Sequence, residues 1–502
     1  MKTHFSISLP FRLALHWVIT SSTIRWAGRC GATLLLAFGL AHPACADATQ
    51  PPAWQQTAGV FHTTLPNGFA LWVRPDHRAP TAVHMLWVRV GSMDEVDGTS
   101  GVAHVLEHML FKGTPTVAPG EYSRRIAALG GRDNAFTSRD ATVYHQQVPA
   151  VQLEAVMALE ADRFAHNQWP DDEFRRELEV VKEERRQRTD GQPTAQLWEA
   201  LNAATWQAHP YRRPIIGWME DLNTLTPDEA RAFFRQWYVP ANAAIVVAGD
   251  VEPDQVLALA LKHYGAIPAR AVPSRKTSAE PPQLGQRTVQ VKAASEKPVV
   301  AMSYQAPRLA SEEGATAYHV DALALMLLGT VLDGYEGARL GRTLVQPIGG
   351  QRLADQVDAG YSGSGRGPAQ FVLTATPAAG KTVPELVQAL QSQLAQVMEN
   401  GVTEAELARA KNQWRSSEVY RLDALFAQAR QAGDQWLNGL QPDAQARLLA
   451  QLQTITPAQV QLAAQRTFVT DRLTLAELVP DAQALAARQQ AVAHRPKLNV
   501  RH

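Results

Sequence analysis

Between Gly101 and Thr114 the chain reads Gly-Val-Ala-His-Val-Leu-Glu-His-Met-Leu-Phe-Lys-Gly-Thr, placing His104 and His108 four residues apart with Glu107 beside the second. On a helix, residues at that spacing lie one above the other, so both imidazoles can reach one ion while Glu107 reaches a water held by it. That is zinc-hydrolase chemistry in the order H-x-x-E-H, the reverse of the commoner H-E-x-x-H. The competing reading is a buried amphipathic helix whose histidines are satisfied by hydrogen bonds.

A hydrolytic zinc site needs a third protein ligand and one position open to water. The stretch from Asp171 to Arg188 reads as a long charged helix. Phe174, Leu178 and Val181 form its apolar stripe, and Glu177 and Glu184 lie two turns apart on a neighbouring face. Glu184 is the candidate third ligand, and Glu177, on the same side, can hydrogen-bond a ligating histidine and orient it. Glu183 competes for the metal, but helix neighbours are about 100° apart, so only one of the two can face the ion. Without the histidines, such a run is read as a solvated helix laced with ion pairs.

These residues resemble the inverted-motif zinc peptidases, the family of pitrilysin, insulysin and the mitochondrial processing peptidases, and among them the bacterial two-domain members. Four blocks carry the resemblance, in family order and spacing. The first is His104 to Thr114, and the second is Gly130-Gly131-Arg132-Asp133-Asn134-Ala135-Phe136-Thr137-Ser138-Arg139-Asp140-Ala141-Thr142-Val143-Tyr144. The third is Glu177 to Glu184, where the resemblance puts Glu184 at the ligand position and Glu177 at the supporting one. The fourth runs from His209-Pro210-Tyr211-Arg212-Arg213-Pro214 through Ile216-Gly217 and Trp237 to Asn242, ending at Val246 to Asp250.

The stretch Asn134 to Tyr144, rich in Thr, Val and aromatic residues after a Gly-Gly turn, reads as a strand. The resemblance places it at a sheet edge beside the zinc, where unpaired backbone groups can accept an extended peptide as an added strand. Asn134 and Ala135 are then the substrate-contacting positions. The plain alternative is an ordinary strand with Thr on its wet face. One zinc ion per chain is implied, polarising the scissile carbonyl and lowering the pKa of its water to about 7. Glu107 acts as general base and then returns the proton to the leaving amine.

Before Asp47, the first acidic residue, the leader contains Lys2, Arg12, Arg25 and Arg29. Arg25 to Arg29 forms a positive flank, Ala32 to Ala41 an apolar run too short to span a membrane, and Ala44-Cys45-Ala46 an A-x-A site. Residues 1–46 therefore read as a signal peptide leading to the periplasm. A mitochondrial presequence fits the compact apolar run less well, and His42-Pro43-Ala44 suits lipidation at Cys45 poorly. Cleavage there removes Cys30 and Cys45, the chain's 2 cysteines, so no disulfides are expected. The charge balance moves from 48 cations against 48 acids to 44 against 48, a mild value that gives no reason to invoke nucleic acid or an anionic membrane surface.

The remaining length suits two domains. A Pro-, Ser- and charge-rich stretch at 268–286 reads as a linker between a zinc-bearing domain, 47–267, and a homologous domain, 287–480, followed by a tail, 481–502. In the first, Gly68 to Val90 alternates as strands, and the buried strand Ala243 to Ala248 leads into a helix from Pro253 to Tyr264. In the second, strands are expected at Arg287 to Val289, Val299 to Tyr304 and Arg472 to Leu478. The resemblance implies an α+β fold of two homologous domains. Each is a mostly antiparallel sheet with helices packed on one face, and together they form half of a clamshell.

Only the first half is armed. Thr316 to Thr330 occupies the place of the metal helix but lacks paired histidines, and His319 reads as a surface or cap residue. Many relatives carry in this half an arginine and a tyrosine that grip the substrate backbone. Gly337-Ala338-Arg339-Leu340 resembles the turn before that pair, but Asp355 stands at the tyrosine position and no arginine precedes it. The chain is therefore expected to act as a homodimer or as the zinc-bearing partner of a homologous subunit. The implied function is a zinc-dependent endopeptidase for short or unfolded peptides. Its rivals are a non-catalytic assembly subunit, against which stand His104, Glu107, His108 and Glu184, and a hydrolase of non-peptide amides.

Overall fold

The computed structural model describes residues 52–276, 278–309, 317–347 and 349–493. The leader expected at 1–46 and the end of the tail lie outside them. The first sheet is built from β1 (Gln55–Thr57), β2 (Val60–Thr64), β3 (Ala70–Pro75), β4 (Thr81–Val88), β5 (Arg132–Thr137), β6 (Thr142–Pro149) and β7 (Ala243–Gly249). The second contains β8 (Arg287–Ala293), β9 (Val299–Ala306), β10 (Ala354–Ser362), β11 (Ala369–Pro377) and β12 (Leu473–Pro480). Between the helix Pro253–Tyr264 and β8 there is no helix or strand among the described residues.

The strand orders are β1-β2-β3-β7-β4-β6-β5 and β10-β11-β9-β12-β8. Only β3 with β7 and β12 with β8 run parallel. Matching β3, β7, β4, β6 and β5 to β8, β12, β9, β11 and β10 makes the two orders identical, so one α+β unit is used twice and the first copy carries the extra β1-β2 pair. The architecture is the duplicated, mostly antiparallel one that the resemblance implied.

Strand alternation assigns the faces of the first sheet. Leu71, Val73, Leu86, Val88, Ile245 and Val247 bury against the helix Val102–Met109 and its helical neighbours. Trp72, Val83, Met85, Trp87, Val143 and Val246 point the other way, where they meet Ala429, Ala432 and Leu437 of the helix Leu425–Leu437 from the second half. The reciprocal holds. Leu197 and Leu201, on the helix Pro193–Thr205 of the first half, bury against Ala301, Ala476 and Leu478 of the second sheet. Each half thus covers the far face of the other's sheet with the equivalent helix. Burying each such leucine contributes about 1.5–3 kcal/mol, so the halves stabilise one another.

A hairpin loop adds a polar fastening. Arg366, between β10 and β11, reaches the first half and donates to both carboxylate oxygens of Asp94, each at 2.8 Å. Asp94 also receives Arg275 at 2.7 Å, and the Gly367 N–H donates to the Tyr211 hydroxyl at 2.8 Å.

Three expectations need correction. Asn134 to Tyr144 is two strands, because Ser138 Oγ accepts from the N–H groups of Asp140 and Ala141, at 3.1 and 3.0 Å, and turns the chain between β5 and β6. The regular helix begun at Asp171 ends at Arg185 and widens over Arg186–Asp190, where Gly191 N–H reaches the Arg186 carbonyl at 2.6 Å. His319 is buried rather than superficial, 3.2 Å from Gln451 Oε1, because its helix Ala317–Asp333 is packed among neighbouring helices. Asp355, which the resemblance aligned with a tyrosine, is held by Lys297 at 2.6 Å and Arg352 at 2.9 Å.

Candidate metal centre

The helix Val102–Met109, which carries His104 and His108, starts where two segments of the chain nearly touch. Gly101 has φ of +90°, and a Cβ there would lie 2.5 Å from the Ile216 carbonyl oxygen. A Cβ on Gly217 would lie 2.7 Å from the Gly101 Cα, so the Ile216-Gly217 block seats the start of the helix. The first backbone N–H groups find a partner the sequence reading missed. Glu95 accepts from Gly101 and Ala103, both at 3.0 Å, at the positive end of the helix dipole. Burial nevertheless pushes the Glu95 carboxyl up to about 8, against those donors and Arg213.

His104 and His108 project from this helix with ring centroids 4.9 Å apart. Glu184 comes from the helix Asp171–Arg185, its Oε2 lying 3.4 Å from His108 Nε2 and 3.9 Å from His104 Nε2. The three donor atoms fall within 4.8 Å of one another, and this is the one such group found among the described residues. Two imidazole nitrogens and a carboxylate oxygen so spaced suit a small divalent ion with ligand bonds of about 2.0–2.2 Å. Glu183 instead contacts Arg186 and Gln187 with its side chain 54% exposed, whereas that of Glu184 is 16% exposed. The helical step separates the two.

Glu177 Oε1 lies 2.9 Å from His108 Nδ1, and its other oxygen takes Lys112 Nζ at 2.5 Å. Burial works against the His108 cation, but the Glu177 bond and the charges of Glu177, Glu107 and Glu184 hold its pKa above the ordinary value. Burial likewise opposes ionised Glu177, yet His108 and Lys112 outweigh it and keep the carboxyl low. His104 differs. Burial foremost, with the charges of His108 and Arg188, lowers it to about 3, leaving the neutral imidazole that a metal requires.

Glu107 Oε2 accepts from Thr137 Oγ1 at 2.5 Å. Burial raises its pKa, with the Thr137 bond opposing. A carboxyl raised in this way gives up and takes back a proton more evenly than an exposed glutamate. Asn134, Ala135 and Thr137 of edge strand β5 line a cavity of about 660 Å³ together with His104, Glu107, His108 and Glu184. The Ala135 N–H is met by Asn134 Oδ1 at 2.8 Å, so the two positions named from the resemblance are coupled.

Lys112 and Arg188 were missed: Arg188 lies four residues beyond Glu184, with which it pairs at 2.6 Å, whereas Lys112, just past the helix Val102–Met109, meets Glu177 on the other helix. Thr137 and Glu95 reach the site from other elements and leave no local spacing signal.

The description "Insulinase (Peptidase family M16)" matches residues 72–218, and "Peptidase M16 inactive domain" matches 224–414. An uncharacterized zinc protease of Mycobacterium leprae is 31% identical over 73% of this chain and 80% of its own length. Among solved structures, a protease from Helicobacter pylori is 26% identical with a TM-score of 0.78, covering 86% of this chain and 100% of that one. The periplasmic protease PqqL of Escherichia coli shares the fold at 20% identity and a TM-score of 0.72, with 89% of this chain matched to 51% of PqqL. Two halves of one topology, the second without a metal group among the described residues, agree with those matches: the chain belongs to the insulinase family of peptidases, family M16.

Proposed function

We propose that this chain is a zinc-dependent endopeptidase for short or unfolded peptides, with His104, His108 and Glu184 as metal ligands and Glu107 as the catalytic acid–base. The observation that carries the reading is the convergence of one donor atom each from His104, His108 and Glu184 within 4.8 Å, beside the partly buried Glu107 carboxyl of raised pKa. Bound there, zinc supplies Lewis acidity and lowers the pKa of coordinated water to about 7.

Glu177 orients the His108 ring through Nδ1, and Lys112 keeps Glu177 ionised. Thr137 fixes the Glu107 carboxylate through its hydroxyl, on Oε2, and through its backbone N–H, and so orients the group that takes the water proton. Glu107 takes that proton as the water attacks the scissile carbonyl, then delivers it to the departing amine as the C–N bond breaks. The peptide lies extended against the free edge of β5, with backbone hydrogen bonds setting its register and the Asn134 and Ala135 pair at the point of contact.

We further assign residues 47–267 to the zinc-bearing domain and 287–480 to its homologue, joined by 268–286, and read 1–46 as a signal peptide to the periplasm. No helix among the described residues is long and apolar enough to cross a membrane. Matching about half of PqqL, the chain supplies one side of a clamshell that a second copy or a homologous subunit completes.

Glu107→Gln tests the reading. The variant is expected to bind zinc as the native chain does and to lose peptide hydrolysis by at least about 10²–10⁴-fold, because the amide cannot accept the proton. Retained activity in that variant, or a native chain that takes up no zinc, refutes it.

A further inference from the structure

Beyond the metal ligands, the cavity wall carries an arginine with an unusual lack of partners. Arg139 sits in the turn after β5, half-buried, on the same cavity as His104, Glu107 and His108. The other cavity arginines are engaged. Arg188 pairs with Glu184, and Arg212 and Arg213 share Asp97 at 2.5 and 2.8 Å. Arg139 has no hydrogen bond or ion pair through its side chain among the described residues. Its guanidinium lies over the Tyr211 ring, 5.0 Å from the centroid. One oxygen of the adjacent Asp140 accepts from the Tyr211 hydroxyl at 2.5 Å, and Asp140 acts on Arg139 through its charge without a hydrogen bond.

The turn is also held in place. Ser92 and Met93 donate backbone N–H groups to the carbonyls of Ser138 and Arg139, at 3.2 and 3.0 Å. A Cβ on Gly91 would lie 2.4 Å from the Ser138 carbonyl oxygen, so that approach is close on both sides. Burial lowers the Arg139 pKa below the ordinary value, the mark of a cation already stripped of much of its water. A stacked, fixed guanidinium loses little further freedom or hydration on meeting a planar anion, and its fork matches a carboxylate in two parallel bonds.

We propose that Arg139 is a specificity-determining residue that reads a carboxylate of the peptide substrate, from an Asp or Glu side chain or a free C-terminus. This rests on the peptidase reading above, with substrate running along β5 past Thr137 into the reach of Arg139. The chain accordingly prefers peptides with an acidic group at one fixed distance from the cleaved bond.

The test uses quenched fluorescent peptides of one sequence in which a single Glu replaces Gln at successive positions, each made with a C-terminal acid and a C-terminal amide. Binding of the same peptides to zinc-loaded Glu107→Gln is measured by fluorescence anisotropy. The expected result is that one Glu position, or the free C-terminus, raises kcat/KM and binding by about 10–100-fold over its neutral counterpart. That preference should collapse in Arg139→Gln and in Arg139→Met, whose aliphatic stem still packs on Tyr211, while cleavage of the neutral peptide changes little. No acidic preference in the native chain, or one that survives both variants, overturns the inference while leaving the peptidase reading intact. Absence of all cleavage overturns the peptidase reading, and the binding series then decides on Arg139 alone.

Discussion

Replacing Glu177 by Gln probes how the proposed metal centre is tuned without touching a proposed ligand. The native carboxylate is partly buried, with its side chain 12% exposed, and bonds His108 Nδ1 at 2.9 Å. A hydrogen bond to a charged group contributes about 1.5–3 kcal/mol, and 1.4 kcal/mol is tenfold in affinity, so loss of the whole interaction weakens zinc binding by about 10–100-fold. Glutamine keeps an acceptor oxygen and loses the charge, which places Glu177→Gln near tenfold and Glu177→Ala near the upper end.

The pH dependence carries the sharper signature. In the metal-free chain His108 is held above its ordinary 6.5, so a proton competes with zinc as pH falls through that raised value. Without the Glu177 charge the His108 pKa drops and the competition begins at lower pH. Zinc affinity, measured by competition against a chromophoric chelator from pH 5 to 8, should therefore differ most at high pH, and the gap should narrow as the solution is acidified. Equal affinities throughout, or a gap that widens in acid, would refute the electrostatic role of Glu177.

Three further outcomes concern the scaffold. A methyl group added at Gly433 would lie 2.0 Å from Trp87 Cε2, so Gly433→Ala should push the exchanged helix off the first sheet; a loss of less than about 1 kcal/mol in urea denaturation would contradict that packing. Arg366→Ala removes two bonds to Asp94, whose side chain is 2% exposed, and should destabilise by about 3 kcal/mol, the low end for a broken buried pair because Arg275 stays. Faster proteolytic nicking between 265 and 286 would accompany it, and an unchanged nicking rate would show that the loop is no fastening. Glu95, raised from 4.5 to about 8, holds its proton more tightly folded than unfolded, so ionising it costs stability progressively as pH rises across that interval. Glu95→Gln should gain on the native chain in denaturation experiments as pH increases, and a difference that is flat in pH would count against the argument.

What could be read from the chain alone was whatever is periodic or local. The i, i+4 spacing of His104 and His108 places two imidazoles together on any helix, and the step from Glu183 to Glu184 sends one carboxylate to the site and the other to solvent. Alternation from Gly68 to Val90 marked β3 and β4, the apolar run Ala243 to Ala248 marked β7, and the helix Pro253–Tyr264 was expected with the bounds it has. The break between β5 and β6 went unread although Ser138 and Asp140 are turn-forming residues, because the Thr, Val and aromatic residues on either side outweighed them.

Tertiary structure alone decided everything that depends on elements remote in sequence. Thr137 on Glu107, Glu95 on the helix Val102–Met109 and Tyr211 beneath Arg139 are meetings with no spacing that announces them. The exchange of the helices Pro193–Thr205 and Leu425–Leu437 is the largest case. Each is an apolar-faced helix like its neighbours, and hydrophobic burial is non-directional, so sequence shows that such a face must be covered but not which sheet will cover it.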